Sequence, residues 1–228
     1  TETCGVSKSS ASRKFAAASA KQLRALCERR FDETDLLIIY IDGVQFAQHH
    51  VMVAVGVDSQ GCKHVLGLRE GASENAVVVK GLLEDLVERG VNPERRRLFV
   101  IDGSKALRNA IDAVFGAGNP VQRCRNHKVE NVMGHLPEDL KEQVKTVMKA
   151  SYRLDADEGI AKLKQQAKWL QSEHPAAAAS LLEGLEETFT INRLGLPPRL
   201  RRCLATTNVI ESPTAGVRLR TRRVTNWQ

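Results

Sequence analysis

The feature that most limits the possible folds is a run of six apolar residues, Leu36 to Ile41, rich in β-branched side chains. A strand that is apolar on both faces is typical of the centre of a sheet with helices on each side. Residues 51–57 and 63–68 predict two further strands. The short turn Asp58-Ser59-Gln60-Gly61 separates these two, which indicates an antiparallel hairpin.

A helix, a strand, a second helix and a fifth strand are predicted to follow. The first helix spans Ser73 to Gly90, and its apolar periodicity predicts five inward side chains: Val77, Val78, Leu82, Leu83 and Leu86. Gly90 is a typical C-terminal stop. The next three elements are predicted at Leu98 to Ile101, Ser104 to Phe115 and Pro120 to Arg123.

Beyond Cys124 the strand pattern disappears, and residues 129–194 have helical periodicity that is broken by Gly195-Leu196-Pro197-Pro198. This order of elements predicts an α/β fold of the ribonuclease H-like type, a five-stranded mixed sheet with flanking helices and an all-helical insertion before the last helix. We therefore divide the chain into an N-terminal helical remnant (1–31), a first part of a catalytic core (32–127), the helical insertion (128–200) and the last core helix (201–228).

The ends of the chain suggest a piece of a longer protein. It begins without methionine, and its opening helical stretch, in which Ser7 is a candidate N-cap, suits the second half of a helix-turn-helix whose first helix is missing. At the other end a basic amphipathic pattern continues to Trp227-Gln228. We interpret residues 1–31 as the remnant of an N-terminal DNA-binding region.

The composition excludes a membrane-spanning or disulfide-rich chain. Hydrophobic residues make up 42% and charged residues 27% of the 228 residues, as in globular proteins. The longest apolar run is far shorter than the roughly 20 residues that a bilayer requires, and no signal peptide is visible. Five scattered cysteines favour a reducing, cytoplasmic setting.

The basic charge is concentrated near the C-terminus. Between Arg193 and Arg223 there are eight arginines and one acid, Glu211, a local net of +7 that equals the net charge of the whole chain. Arginine favours bidentate contacts with phosphate, so the patch indicates nucleic-acid binding. A solvated basic segment is the alternative.

Three acidic residues are candidates for the chemistry. Two of the predicted strands end in the same tripeptide, Ile41-Asp42-Gly43 and Ile101-Asp102-Gly103, and Glu211 lies at the start of a predicted helix. Phosphodiester cleavage is served by two divalent ions about 4 Å apart, held by carboxylates. If the two strands are neighbours, Asp42 and Asp102 can share an ion that Glu211 completes.

Each acid also has a purely structural interpretation. Asp-Gly after a strand is common turn chemistry. Glu211 follows Asn208 by three residues, which is the spacing of a capping box. Because proline disfavours helical geometry in the preceding residue, the helix can instead begin at Ser212 with Pro213 in its first turn, leaving Glu211 outside.

Four sequence blocks in order resemble the Mutator-type transposases of bacterial insertion sequences. The blocks are the two Ile-Asp-Gly tripeptides, Cys124-Arg125-Asn126-His127, Thr206-Thr207-Asn208-Val209-Ile210-Glu211-Ser212 and Val217-Arg218-Leu219-Arg220-Thr221-Arg222-Arg223. The resemblance implies a catalytic triad of Asp42, Asp102 and Glu211, with magnesium or manganese as the metal. It also implies that water cuts one strand at the element's end and that the freed 3′-hydroxyl attacks target DNA.

Further residues have expected roles near this site. Cys124 and His127 match the family's Cys-x-x-His signature and are expected beside the active site. Packing of Cys124 in the core is an equally good explanation of that residue. A structural zinc site would need a second close Cys/His pair, which the sequence lacks. Trp169 either stacks on a flipped base or packs in the core. Four arginines are expected to contact DNA phosphates: Arg218, Arg220, Arg222 and Arg223.

The sequence favours a DNA transposase catalytic domain that acts on element ends and target DNA. A DNA-binding protein that has lost catalysis is the main alternative, and a hydrolase of small phosphate esters is a third. Because two element ends must be handled together, the resemblance also implies a homodimer.

Overall fold

The computed structural model describes residues 7–46, 48–72 and 75–221. Within these ranges the protein is α/β. The strands are β1 (Leu36–Phe46), β2 (His49–Asp58), β3 (Lys63–Glu70), β4 (Leu98–Ile101) and β5 (Val121–Arg123). The helices are α1 (Lys8–Glu28), α2 (Ala76–Glu88), α3 (Lys105–Phe115), α4 (Arg125–Met133), α5 (Glu138–Ser151), α6 (Ala156–Leu170), α7 (Pro175–Leu182), α8 (Thr190–Arg193), α9 (Pro198–Leu204) and α10 (Asn208–Thr221), with a 3₁₀ turn at Glu186–Phe189.

The five strands form one mixed sheet in the order β3-β2-β1-β4-β5. The pairs β1–β2 and β2–β3 are antiparallel, whereas β1–β4 and β4–β5 are parallel. The predicted hairpin is confirmed, with Asp58 accepting hydrogen bonds from the backbone N–H groups of Gln60 and Cys62 in its turn. The prediction of a five-stranded mixed sheet with flanking helices is therefore confirmed.

Strand β1 lies at the centre of the sheet and is covered on both faces, as its sequence predicts. Ile39 and Ile41 belong to an apolar cluster formed with α2 and α3. Tyr40 belongs to a second cluster on the opposite face, which includes Ile210 of α10. Alternate residues of a strand point to opposite faces, so a single apolar run supplies both cores.

Helix α2 differs from the prediction in its inward face. Leu82, Leu83 and Leu86 are buried as expected, but Val77 is 82% exposed and Val79 is fully buried. The helix begins at Ala76, capped by Asn75, whose side chain accepts from the N–H groups of residues 77 and 78. Val79 then continues the spacing of the three leucines, and the prediction for Val77 was wrong.

The helical block from α4 to α7 has an apolar cluster of its own. Arg125 connects this block to its surroundings, because its guanidinium lies 4.5 Å from the ring centroid of Tyr152 and donates to the carbonyl of Thr188 at 2.9 Å. Trp169 of α6 is 53% exposed. The core alternative for this tryptophan is thus wrong.

The predicted opening helical stretch forms helix α1. Ser7 caps it as expected, its hydroxyl accepting a hydrogen bond from the backbone N–H of Ser10 at 3.2 Å. Phe15 is 76% exposed on this helix. Among the described residues, no helix combines the length and apolar character needed to cross a bilayer.

Candidate active site

Asp42 and Asp102 lie on neighbouring parallel strands at the same level of the sheet. Ile41 pairs with Ile101, and each aspartate is the next residue, so their backbones are about one strand spacing apart, roughly 5 Å. Asp102 directly follows β4, as predicted. Asp42 does not end its strand, because β1 continues to Phe46 through antiparallel pairing with β2. The hairpin register, set by backbone pairing, extends the strand beyond its apolar run.

Asp42 is buried, with 3% of its surface exposed. One oxygen, Oδ1, accepts a hydrogen bond from the backbone N–H of Gly43 at 2.9 Å. Burial raises the pKa of the Asp42 carboxyl to about 6. The nearby His127 opposes this rise, while the negative charges of Asp102 and Glu211 add to it. The ionised carboxylate is therefore costly here unless a positive charge accompanies it.

Glu211 reaches the same place from the first turn of α10, which packs on β1 and β2. The helix begins at Asn208 and runs through Pro213, so the alternative start at Ser212 is wrong. The hydroxyl of Thr207, just before the helix, lies 3.4 Å from Glu211 Oε1. The side chain of Glu211 is 42% exposed.

Three of the side chains come together as a candidate cation site. One ligand atom each from Asp42, His127 and Glu211 lies within 4.8 Å of the others, and His127 Nε2 is 3.8 Å from Glu211 Oε1. Asp102 is outside this group, because its Oδ1 accepts from the backbone N–H of Ser104 at 2.9 Å. The turn interpretation of Asp102 therefore holds in this conformation.

Asp102 nevertheless faces the same space. A cleft of about 540 Å³ is bordered by Asp42, Asp102 and His127 together with backbone and side chains from β1, β2 and α4. The register of β1 and β4 keeps the two aspartates adjacent along its floor.

Cys124 directly precedes α4, and His127 lies in the first turn of that helix. Cys124 is fully buried, and its Sγ accepts from the Thr207 hydroxyl at 3.4 Å. The pKa of His127 is raised to about 9, mainly by a side-chain hydrogen bond with Cys124; burial opposes this rise, and the charges of Asp42 and Glu211 contribute to it. Protonated His127 is thus the positive partner of the two carboxylates. Within the described residues, the candidate cation group includes neither Cys124, Cys203 nor His135.

Arg123 at the end of β5 is a site residue that the sequence argument missed. Its guanidinium donates to the carbonyl of Gly103 at 2.7 Å and to the carbonyl of Glu183 at 2.9 Å. Gly103 has φ +106, and a Cβ there would lie 1.9 Å from Arg123 Nε. Arg123 therefore fixes the turn that carries Asp102 and ties it to the helical block.

Thr207 was also missed as a site residue. It is fully buried, and its hydroxyl lies within 3.4 Å of both Cys124 Sγ and Glu211 Oε1. Its place within the Thr206-Thr207-Asn208 block was the only sequence signal. Of the predicted DNA-contacting arginines, Arg218 and Arg220 lie in α10, whereas Arg222 and Arg223 are outside the described residues.

The donor set suits a hard divalent cation. Carboxylate oxygens are the ligands that magnesium and manganese prefer, and Asp42 and Glu211 offer them from a strand and a helix that are packed together. Burial raises the pKa of Asp42, and the negative charges of Asp102 and Glu211 add to that rise. Convergence of acids with a perturbed pKa in a cleft is typical of functional sites.

Comparisons with known proteins show which family the chain resembles. The family model described as "Transposase, Mutator family" matches residues 2–227. The chain is 28% identical over 208 residues to the transposase for insertion sequence element IS6120 of Mycolicibacterium smegmatis, covering 88% of this chain and 63% of that protein. It is 30% identical over 228 residues to the transposase for insertion sequence element IS406 of Burkholderia multivorans, covering 95% and 57%.

A third relative, the transposase for insertion sequence element IST2 of Acidithiobacillus ferrooxidans, is 29% identical over 178 residues, covering 77% of this chain and 58% of that protein. The chain thus spans less than two thirds of the length of these relatives. The match to the family model nevertheless extends over almost all of its residues. The chain belongs to the Mutator family of transposases.

Proposed function

We propose that the chain carries the catalytic centre of an insertion-sequence transposase, which cleaves a DNA strand at the element's end and joins it to target DNA. Asp42, Asp102 and Glu211 are its acidic triad. The fold is then ribonuclease H-like, with residues 32–127 and 201–228 as the core, 128–200 as the helical insertion and 1–31 as part of a DNA-binding region.

One observation carries the proposal. Asp42 and Glu211 are 169 positions apart in the sequence, yet their carboxylates meet with His127 within 4.8 Å, and Asp102 borders the same cleft. Such a meeting costs electrostatic energy unless the acids have a common charged partner. The family's insertion-sequence relatives supply the biological context.

Two magnesium or manganese ions fit this donor set, and Asp42, Asp102 and Glu211 would hold them. When bound, such ions neutralise charge on the phosphate and activate the attacking oxygen. Burial keeps Asp42 out of water, and the hydrogen bond from Gly43 orients its Oδ1. Arg123 and Gly103 position the turn of Asp102. Thr207 and His127 hold Glu211 from two sides.

The substrate is double-stranded DNA, both the element's ends and the target. The arginine-rich segment from Arg193 to Arg223 supports this assignment through its local net charge of +7. Arg218, Arg220, Arg222 and Arg223 are proposed to contact phosphates beside the cut. Because two ends must be joined together, the acting unit is a homodimer that works at the bacterial nucleoid.

Incubation with a labelled duplex carrying the element's end and Mn²⁺ tests the proposal. We expect nicks at the 3′ end of the element that disappear in Asp42→Asn, Asp102→Asn and Glu211→Gln. Glu173→Gln is the matched control, because Glu173 is exposed in the turn after α6 and does not border the cleft. Binding without nicking by the unmodified chain would instead identify a DNA-binding protein without catalysis.

A further inference from the structure

A second and larger groove lies on the other side of α4 from the acidic cleft. Its volume is about 1230 Å³, and it is bounded by α4, α5, α9 and the start of α10. Pockets for small molecules are about 300–1,000 Å³ and mostly apolar. The size of this groove and the charged residues along its walls favour an extended, charged occupant.

The lining of the groove is predominantly basic. Seven cationic side chains border it against three acidic ones, a net of +4: Arg125, Lys141, Lys145, Lys149, Arg153, Arg201 and Arg202 against Glu130, Glu138 and Glu142. Two of these cations have structural roles. Arg125 is held beneath Tyr152, and Lys141 pairs with Glu138 at 2.8 Å.

The other five cations have no ion-pair partner in the part of the chain that the structure describes. Lys145, Lys149 and Arg153 follow one another at four-residue spacing along one side of α5 and just past its end, where neighbours lie about 6 Å apart along the axis. Arg201 and Arg202 face them from α9. Cations that have no ion-pair partner among the described residues therefore line the groove on both the α5 side and the α9 side.

Two residues of the groove are close in sequence to residues of the candidate cation group. Asn126 and Asn208 line the groove, and their exposed side chains are joined by a 3.1 Å hydrogen bond from Asn126 Nδ2 to Asn208 Oδ1. Asn126 precedes His127 on α4, and Asn208 is three residues before Glu211 on α10. The amide pair therefore bridges the two helices that supply residues of that group.

We propose that this groove binds the phosphate backbone of duplex DNA next to the cleavage site. The inference rests on the proposed function for the identity of the DNA, and charge complementarity carries it. Cations on α5 and α9 contact phosphates from two sides, and the Asn126–Asn208 pair guides the strand over the edge of α4 towards the acids. These contacts are independent of base sequence, because they address the backbone.

The test uses DNA-binding anisotropy in EDTA with the 228-residue chain carrying Asp102→Asn, so that no cleavage intervenes. Two double variants are measured. One combines Lys145→Gln and Lys149→Gln, and the other combines Arg201→Gln and Arg202→Gln. The matched control is Lys162→Gln with Lys168→Gln, which removes two exposed cations of α6 that do not border the groove.

Each groove double variant is expected to weaken duplex binding at least about tenfold at physiological salt. It should also reduce the slope of log K against log salt by about 0.9 for each phosphate that the variant no longer neutralises, while the control keeps both values. Equal behaviour of groove and control variants overturns the inference, as does a weakening confined to single-stranded DNA. Failure of the unmodified chain to nick DNA in Mn²⁺ would overturn the proposed function and leave the binding result standing.

Discussion

Arg123 donates a hydrogen bond from Nη2 to the carbonyl of Gly103, at 2.7 Å, directly after Asp102. The same guanidinium donates through Nη1 to the carbonyl of Glu183 in the helical block. Arginine can make both contacts at once because its donors form a rigid fork. The position of Asp102 is thereby coupled to the helices that follow α4.

Replacement of the Arg123 guanidinium should impair DNA cleavage, while DNA binding is retained. In Arg123→Lys a single ammonium cannot span both carbonyls, so we expect nicking to fall at least about tenfold while anisotropy in EDTA is unchanged. Arg95→Lys is the control, since Arg95 forms an exposed pair with Asp35. An unchanged nicking rate in Arg123→Lys would show that the turn of Asp102 needs no such support.

The buried Asp42 predicts a specific dependence of stability on pH. The pKa of Asp42 is 3.8 in the unfolded chain and about 6 in the folded chain. At pH values between these two, Asp42 has released its proton in the unfolded chain but retains it in the folded chain. The favourable contribution of Asp42 to the free energy of unfolding is therefore fully present below pH 3.8 and is lost as the pH rises through about 6. Asp42→Asn should stabilise the chain by roughly 2–3 kcal/mol at about pH 7.5 without divalent ions.

Urea unfolding at about pH 4 and about pH 7.5 in EDTA measures this effect. The advantage of Asp42→Asn should shrink towards zero at the lower pH, where the aspartate is already protonated. Glu173→Gln, on an exposed turn, should change stability by less than about 0.5 kcal/mol at both pH values. An Asp42→Asn variant less stable than the unmodified chain at the higher pH would contradict the argument.

Divalent ions should reverse the cost of ionising Asp42. A cation that binds only the folded chain stabilises it by about 2.7 kcal/mol at about 100 times its Kd, so Mn²⁺ should raise the unfolding midpoint near neutral pH. Glu211→Gln removes a ligand and should weaken Mn²⁺ binding at least about tenfold, about 1.4 kcal/mol.

Thermal scans with and without Mn²⁺ give the comparison for Glu211→Gln. The control is Glu158→Gln, an exposed acid of α6, which should keep the full Mn²⁺ shift. If Glu211→Gln also keeps it, Glu211 is not a ligand and its helix-capping interpretation is sufficient.

Arg125 is expected to support the fold rather than the chemistry. Burial lowers the pKa of its guanidinium to about 10, and its contacts with Tyr152 and the Thr188 carbonyl offset that cost. Removal of the side chain in Arg125→Ala leaves these partners unsatisfied, so we expect the free energy of unfolding to fall by at least about 2 kcal/mol. Denaturant midpoints measure it, with Arg153→Ala, an exposed neighbour, expected to change by under about 0.5 kcal/mol. A near-neutral Arg125→Ala would contradict this role.

The sequence was sufficient to predict the features that depend on the pattern of apolar residues. The run from Leu36 to Ile41 predicted a central strand covered on both faces, and the repeated Ile-Asp-Gly tripeptide predicted an aspartate directly after the apolar part of each of two strands. The extension of β1 to Phe46 was not predictable in this way, because Asp42 and Gly43 continue the strand through backbone pairing with β2.

Buried cations were the least predictable part of the site. Arg123 and Lys128 are almost fully buried, whereas charged residues in a sequence are usually assigned to the surface. Their carbonyl partners, such as those of Glu183 and Ser180, are more than 50 residues away. Only the folded chain reveals such pairs. Trp169 shows the reverse error, since its aromatic character suggested the core and it is half exposed.

The placement of Glu211 on α10 has a consequence for the order of synthesis. A ribosome that has finished β5 has already made Asp42 and Asp102 and the strands that align them, but the third acid follows 109 residues after Asp102. Docking of α10 on the emerging sheet is thus the event that completes the trio. Under the proposed function, a growing polypeptide gains the capacity to cut DNA only once α10 has packed on the sheet.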